Sequence, residues 1–301
     1  MNKQKKILII NGNYRSGTTW LQKLLDNNKN ISICSQPFFE FFKEVETHLL
    51  RKLNIKNPRS FPSGIFEITN LKKFDIKQKV FEKKKFEKII VNILNKNIPE
   101  RFLHTNKNFY IFFLKKLQFI DNKKVSFIQI FDLIIQSISH YRKSNSAIIV
   151  GFKEGFLTTL IPILLKIKNC YVINVVRDPR EILFSRNYST STHIKDFNLK
   201  KKHPAIMISL LCKNLMKSSE KFKNNKKLLT VKYDKLLNKG TELKNIQKFL
   251  GIKLINYKNL INKETNKVWN INSSGKNHKK GNYGSLWKTN LSKTEIAIIE
   301  C

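Results

Sequence analysis

The 301-residue sequence is poor in acidic residues, cysteine and long apolar runs. Asp and Glu number 21 against 58 Lys and Arg, which gives a formal net charge of +37 at pH 7. No apolar run approaches the roughly 18 residues that a membrane-spanning helix needs. The apolar stretch 7–10 is too short for the core of a secretory signal. Because apolar residues still make up 41% of the chain, a folded core is predicted and a disordered basic tail is excluded.

The four cysteines lie far apart in the sequence, at positions 34, 170, 212 and 301. They form no CxxC pair, so the sequence indicates neither a disulfide framework nor a zinc knuckle, and no metal is expected. This usage fits a reducing compartment. We therefore expect a cytoplasmic protein, with a peripheral position at the inner membrane surface as the alternative.

The positive charge comes almost entirely from lysine, since only eight of the 58 basic residues are arginine. Lys, Asn, Ile and Phe are all abundant and share A/T-rich codons, so nucleotide bias can scatter lysines over a solvated surface. The alternative is a polyanionic partner such as nucleic acid. Aromatic residues do not interleave with the basic ones as in RNA-binding motifs, and we expect no nucleic-acid partner. The scarce arginines are informative where they cluster.

Short buried strands alternate with helices along the chain, which predicts an α/β fold with a central, mostly parallel sheet flanked by helices. The predicted strands are 7–10, 148–150, 171–176 and 228–233, and the predicted helices are 18–28, 156–167 (broken near Pro162), 204–223 and 241–250. We expect irregular structure over 31–66 and helices over 67–145. With no linker, residues 1–301 are predicted to form one domain. The last predicted helix reaches Cys301 without a capping residue, which leaves open a truncated copy or a frayed helix.

A glycine-rich loop follows the first predicted strand and precedes a helix. It reads Gly-Asn-Tyr-Arg-Ser-Gly-Thr-Thr over residues 12–19, which is the spacing of a Walker A loop with Thr18 at the lysine position. Its backbone amides and the helix N-terminus can still hold a phosphate. The missing lysine argues against a nucleoside triphosphate and favours a nucleotide with a shorter 5′ group. A degenerate P-loop kinase or NTPase is the alternative interpretation of this loop.

Residues 15–20, Arg-Ser-Gly-Thr-Thr-Trp, resemble the 5′-phosphosulfate loop of sulfotransferases that use 3′-phosphoadenylyl sulfate (PAPS). Arginine at position 15 resembles the carbohydrate and tyrosyl-protein branches more than the cytosolic small-molecule members. The resemblance implies a P-loop NTPase-like sulfotransferase fold with PAPS as co-substrate. It implies that Arg15 contacts the bridging region of the phosphosulfate. The residues implied to hold the 5′-phosphate are Ser16, Gly17, Thr18 and Thr19, and Trp20 lies near the adenine or packs in the core.

Three further segments resemble the same family. Val-Val-Arg-Asp-Pro-Arg at 175–180 is similar to the segment whose Arg and Ser bind the 3′-phosphate, which implies that role for Arg177 and Ser185. Lys-Tyr-Asp-Lys-Leu at 232–236 resembles the segment that brings a tyrosine to the adenine, here Tyr233. The alternative is that Tyr233 is a buried tyrosine at the end of a strand. A loop near the end of the chain implies that Lys280 and Gly281 complete the 3′-phosphate site, with one extra residue before Trp287.

Sulfuryl transfer requires a cation at the bridging oxygen and a base near the acceptor hydroxyl. Arg15 supplies one cation, and Lys153 matches a family lysine that assists the leaving group, although a solvated lysine is the alternative. Gly155 occupies the position of the catalytic His of cytosolic members, and Gln36 stands where carbohydrate-type members often have Glu. Glu40 is the first candidate for the base, followed by Glu154, His193 and His203.

The resemblance implies transfer of the sulfuryl group from PAPS to a hydroxyl acceptor, with release of adenosine 3′,5′-bisphosphate (PAP). The acceptor is expected to be a carbohydrate or glycolipid, bound by a helical insertion over roughly 38–145. A degenerate P-loop kinase or NTPase and a basic nucleic-acid-binding protein are the alternative functions.

Overall fold

The structure is a computed structural model that describes most of the chain. The described residues are 5–36, 38–58, 62–66, 71, 74–95, 107–142, 146–187, 203–237, 241–253, 261–262, 267–268 and 286–300. The predicted site residues Lys280, Gly281 and His193 lie outside them, as does Cys301. No helix of the described part is both long and apolar enough to cross a membrane.

The described residues form an α/β structure, as the alternation of strands and helices predicts. The strands are β1 (Lys6–Gly12), β2 (Ile31–Ser35), β3 (Lys79–Glu82), β4 (Lys124–Ser126), β5 (Ile149–Lys153), β6 (Cys170–Val176), β7 (Leu228–Lys232), β8 (Ile261–Asn262) and β9 (Lys267–Val268). The helices are α1 (Thr18–Asp26), α2 (Phe39–Arg51), α3 (Lys83–Asn95), α4 (Lys107–Gln118), α5 (Phe127–Tyr141), α6 (Ile161–Leu164), α7 (Pro179–Asn187), α8 (Ala205–Lys221), α9 (Tyr233–Leu237), α10 (Thr241–Leu250), α11 (Leu286–Asn290) and α12 (Lys293–Glu300).

The main sheet has five strands in the order β2-β5-β1-β6-β7, and β2 runs parallel to β5. The four predicted strands correspond to β1, β5, β6 and β7, so this part of the prediction is confirmed. Leu8, Ile9 and Ile10 of β1 are fully buried, as expected for a strand covered on both faces. At Gly151 of β5 a Cβ would lie 1.8 Å from the Leu8 carbonyl oxygen, so the approach of these two strands requires glycine.

The prediction of irregular structure over 31–66 is wrong for its first half, where the structure has β2 and α2. The β2 sequence Ile-Ser-Ile-Cys-Ser carries little apolar signal of its own. It is a strand because β5 pairs with it in register, from Ile31 opposite Ile149 to Ser35 opposite Lys153. The helix α2 buries one face, which includes Phe41, Val45 and Leu49.

The predicted break near Pro162 is present in the structure. A 3-10 turn occupies Thr158–Leu160, and the short helix α6 begins beside it with Pro162 in its first turn. Proline suits that position, because the first turn of a helix has no intrahelical acceptor for its N–H groups. The helical segment is therefore divided next to Pro162, which starts its second part.

The chain divides into two compact units, of which unit 1 comprises residues 1–9 and 29–172. Its helices α3, α4 and α5 confirm the helical prediction for 67–145, and the small antiparallel pair β3–β4 was not predicted. The core of this unit is aromatic. The ring of Phe38 packs against Phe41, Phe109 and Phe113 with centroids 5.0 to 5.1 Å apart. Such pairs add stabilisation beyond the burial of their apolar area.

Unit 2 comprises residues 10–28 and 173–301. Helix α8 packs against α7 and α12 around an apolar cluster that includes Leu183, Ile208 and Leu291. Helix α10 is followed by Gly251, which has a φ of 69° and forms its left-handed cap.

Candidate functional site

The glycine-rich loop joins β1 to α1 in unit 2. Gly17 caps α1 with a φ of 90°, and its carbonyl accepts from the Leu21 N–H at 3.1 Å. A Cβ on Gly12 would lie 2.6 Å from the Ser16 Oγ and 2.8 Å from the Val175 carbonyl oxygen. The turn therefore requires both glycines. It leads directly into α1, whose first N–H groups have no intrahelical acceptors.

The turn is fixed from within by Ser16, whose buried Oγ donates to the Asn13 carbonyl at 2.8 Å. Arg15 has a φ of 53°, a left-handed conformation that is uncommon for a residue with a side chain. Strained positions of this kind cluster at binding loops, where the surrounding structure holds them.

Arg15, Arg177 and Ser185, which we call the loop cluster, come together although two sequence motifs supply them. The Arg15 Nε donates to the Ser185 Oγ at 2.9 Å, and the Arg177 Nη1 donates to the Arg15 carbonyl at 2.7 Å. Arg177 follows the end of β6, and Ser185 lies on α7, as the sequence predicts. This arrangement concentrates two guanidinium groups and a hydroxyl at one edge of the loop.

Electrostatic interactions link the two arginines of the loop cluster. The Arg177 Nε is bonded to the Glu181 Oε2 at 2.9 Å, and both side chains are largely buried, with 13% and 6% of their surfaces exposed. Burial lowers the pKa of Arg15, and the nearby Arg177 and Arg186 lower it further. Because neighbouring cations oppose each other here, an anion placed against them would be stabilised. The role of Glu181 as partner of Arg177 was not predicted.

Tyr233 lies under the loop. A Cβ on Gly17 would lie 2.0 Å from the Tyr233 Cδ2, and the Arg177 guanidinium is 4.9 Å from the centroid of the tyrosine ring. The ring therefore supports both the glycine turn and the arginine, with a cation–π contact to the latter. Among the other predicted phosphate-loop residues, Thr18 is buried, and Thr19 and Trp20 are half-buried on α1.

A cavity of about 660 Å³ opens beside the loop within unit 2, with a volume in the usual range of small-molecule sites. Ser16 and Arg177 line it together with Asp178, Lys213 and Lys232. Lys213 and its helix α8 were not predicted to lie at this site. At the rim, Arg180 is bonded to Asp178 and to Glu300, with a 2.7 Å distance in each pair.

Three of the predicted residues, Lys153, Glu154 and Glu40, lie in unit 1. Lys153 ends β5 and is 3% exposed, and the next residue, Glu154, is fully buried and accepts from the Phe38 N–H at 3.2 Å. We call Lys153, Glu154 and Phe38 the strand-end cluster. Glu40 lies exposed in the first turn of α2, where a negative charge favours the helix.

His203, the last candidate for the base, is in unit 2. Its ring is half-buried and lies 5.3 Å from that of Tyr14. Burial and the nearby Arg186 lower the pKa of His203. Within the described ranges, no three His, Cys, Asp or Glu side chains converge as metal ligands.

Comparison with known proteins gives the following matches. The family model for the sulfotransferase domain matches residues 5–295. No curated protein matches the sequence. The sulfotransferase domain from the curacin biosynthetic pathway is 13% identical, with 84% of this chain and 76% of that chain covered and a TM-score of 0.46. A mouse sulfotransferase complexed with PAP is 14% identical, with 100% and 84% covered and a TM-score of 0.46. Since the family model spans nearly the whole sequence, the chain belongs to the sulfotransferase domain family.

Proposed function

We propose that the protein transfers the sulfuryl group of PAPS to a hydroxyl group and releases PAP. The observation that carries this proposal is the loop cluster, in which Arg15, Arg177 and Ser185 meet at a phosphate-type loop that has no Walker lysine. An arginine fork suits phosphate and sulfate oxygens, because its donors are planar and permanently charged. The complex of the mouse sulfotransferase with PAP adds support from the family.

The co-substrate fits the chemistry of the site in two respects. The free amides at the head of α1 suit a 5′-phosphate, and Arg177 with Ser185 suits a second phosphate such as the 3′-phosphate. The cavity of about 660 Å³ beside them is large enough for a nucleotide. Tyr233 is assigned to the adenosine side by resemblance, as are Lys280 and Gly281 to the 3′-phosphate.

In the proposed reaction, the acceptor oxygen attacks sulfur in line with the bond to the bridging oxygen. The bond between sulfur and that oxygen breaks, and PAP leaves with the electron pair. Arg15 neutralises the charge that grows on the bridging oxygen, and Lys153 is assigned to assist it. The acceptor proton must pass to a base, for which Glu40 is the candidate that the sequence favours.

We infer a carbohydrate or glycolipid hydroxyl as the acceptor from the arginine at position 15, which resembles the carbohydrate branch. Helices α2 to α5 are assigned to the acceptor side of a single domain. A reducing, cytoplasmic setting is supported by Cys34, Cys170 and Cys212, which are buried and form no disulfide among the described residues.

Binding of PAP, measured by calorimetry and thermal shift, tests the proposal directly. Arg177→Ala should weaken PAP binding about 100-fold, because it removes a phosphate contact and leaves Glu181 buried without its partner. Arg51→Ala, at an exposed arginine of α2, is the matched control and should change the affinity little. If PAP gives no stabilisation, or ATP with Mg²⁺ gives a larger one, the proposal is wrong.

A further inference from the structure

The carboxyl ends of β2 and β5 lie side by side, since Ser35 and Lys153 are register partners. The Gln36 N–H continues the pairing by donating to the Lys153 carbonyl at 2.6 Å. Ligands of α/β proteins bind characteristically beyond the carboxyl ends of parallel strands. The residues directly after these two strands therefore stand where a substrate is expected.

Glu154 is the first residue after β5, and its two oxygens differ. The Oε2 accepts from the Phe38 N–H, whereas the Oε1 is buried and has no hydrogen-bond partner among the described residues. Leaving a buried carboxylate oxygen without a donor is costly, and such groups in native proteins call for a functional explanation. A hydroxyl group reaching this oxygen would supply the missing donor.

The Ser35 Oγ, at the end of the neighbouring strand, is likewise buried and has no partner within the described part of the chain. Two unsatisfied polar atoms thus stand at adjacent strand ends. A ligand with hydroxyl groups, which both donate and accept hydrogen bonds, has the chemistry to satisfy both atoms.

The backbone around these strand ends is held in uncommon conformations. Gln36 has a φ of 44° and Phe156 a φ of 66°, so a non-glycine residue follows each strand in the left-handed region. The rings of Phe39 and Phe156 pack edge to face with centroids 6.5 Å apart, and Phe39 is 37% exposed. Phe39 adjoins the Phe38 amide that binds Glu154. This aromatic pair, of which only Phe39 is exposed, is an apolar cover next to the buried carboxyl.

Glu154 and Glu40 differ in the features that a proton acceptor needs. Burial raises the pKa of Glu154, and the charge of Lys153 and the Phe38 N–H oppose this shift. A raised pKa makes a carboxylate a stronger proton acceptor than a carboxylate in water. Glu40 is exposed on the first turn of α2, where its charge has a sufficient role in stabilising the helix.

We propose that Glu154 is the catalytic base, which receives the proton of the acceptor hydroxyl on its unpartnered Oε1. The inference rests on the proposed sulfuryl transfer and assigns its base to a residue other than Glu40. The acceptor O–H bond breaks as the O–S bond forms, and the proton passes to Glu154. The sulfur bond to the bridging oxygen breaks in the same step, and PAP carries away the electron pair.

The test measures release of PAP and formation of sulfated product by mass spectrometry, with PAPS and a mixture of chitotetraose and maltotetraose as hydroxyl donors. Glu154→Gln should lower kcat about 100-fold or more and leave the Kd for PAP within about twofold. Glu40→Gln tests the alternative base and should lower kcat far less than Glu154→Gln does. Glu82→Gln, which alters a half-exposed carboxyl of β3, is the matched control.

Glu154→Asp keeps the carboxylate and separates catalysis from folding. It should retain more activity than Glu154→Gln, with the loss in kcat and little change in KM. Equal activity of Glu154→Gln and the wild type, or a loss confined to Glu40→Gln, would overturn the inference. Failure of the wild-type protein to bind PAP is a different result, because it removes the proposed function itself and with it the assignment of Glu154.

Discussion

The loop cluster of unit 2 and the strand-end cluster of unit 1 differ in what each lacks. In the loop cluster, Arg15 donates to Ser185 and Arg177 is paired with Glu181, and the charge of Arg177 lowers the pKa of Arg15. In the strand-end cluster, Glu154 has Lys153 as a charged neighbour, yet its Oε1 has no hydrogen-bond partner among the described residues. The first cluster would be stabilised by an anion and the second by a hydroxyl donor. The comparison shows that charge and hydrogen-bond satisfaction are separate requirements of a buried polar group.

Gly17→Ala should produce the largest effect, because it changes the backbone position that shapes the loop of the loop cluster. The new Cβ would lie 2.0 Å from the Tyr233 ring at a φ of 90°, so both strain and overlap result. We expect a loss of about 3 kcal/mol in the free energy of unfolding, together with loss of PAP binding. Urea denaturation and calorimetry measure the two effects.

Gly251→Ala provides the control for Gly17→Ala, since Gly251 also has a positive φ but caps the end of α10. Gly251→Ala should lower the free energy of unfolding by only about 1 kcal/mol. Adding Tyr233→Ala to Gly17→Ala should recover part of the stability by removing the overlap. Equal costs for the two glycines would show that the tyrosine ring does not constrain the loop.

Glu154→Gln should change how stability depends on pH. The pKa of Glu154 is raised in the folded state, so its contribution to stability is greatest at acidic pH and is lost as the pH rises through the folded-state pKa. Glutamine does not titrate. The free energy of unfolding of the variant should therefore rise relative to that of the wild type as the pH increases, by about 1–2 kcal/mol at pH 9. Thermal unfolding from pH 5 to 9 measures the difference, and the Glu82→Gln series supplies the baseline. A constant difference across this range would contradict the burial of an ionisable carboxyl.

Two serine substitutions compare a hydroxyl of the loop cluster with one beside the strand-end cluster. Ser185→Ala removes the hydroxyl that accepts from Arg15, so PAP binding should weaken about tenfold. Ser35→Ala removes a buried hydroxyl that has no partner among the described residues. The free energy of unfolding should therefore change by less than about 0.5 kcal/mol. Calorimetry with PAP and urea denaturation should be applied to both variants. A marked loss of stability in Ser35→Ala would reveal a bond to this hydroxyl.

The smallest effect concerns Cys212, which lines the cavity beside the loop cluster. Burial raises the pKa of its thiol to about 11, against a weaker opposing effect of the hydrogen bond from Asn13 at 3.3 Å. Alkylation by iodoacetamide at pH 8 should therefore be slow in the folded protein and should accelerate in urea. Mass spectrometry of the modified peptide measures the rate. Fast alkylation without denaturant would mean that the cavity opens readily.

The elements of the loop cluster were predictable because their signals are local. The apolar run 7–10 followed by Gly12 predicted β1 and the loop, and the run 171–176 predicted β6 with Arg177 at its end. The strand-end cluster was harder to predict, because β2 shows little apolar pattern and forms by pairing with β5. Nothing in the residues around Glu154 indicated that its side chain is fully buried.

Local sequence was enough to predict four of the five strands of the main sheet, the glycine turn and the position of Arg177. These depend on residues close together in the chain, where backbone conformation and apolar periodicity are decided. Contacts between distant segments decide that Arg15 donates to Ser185 and that, among the described residues, the Glu154 Oε1 has no donor. The reason is physical: burial and hydrogen-bond partners depend on which distant segments pack together, and the local sequence does not specify those neighbours.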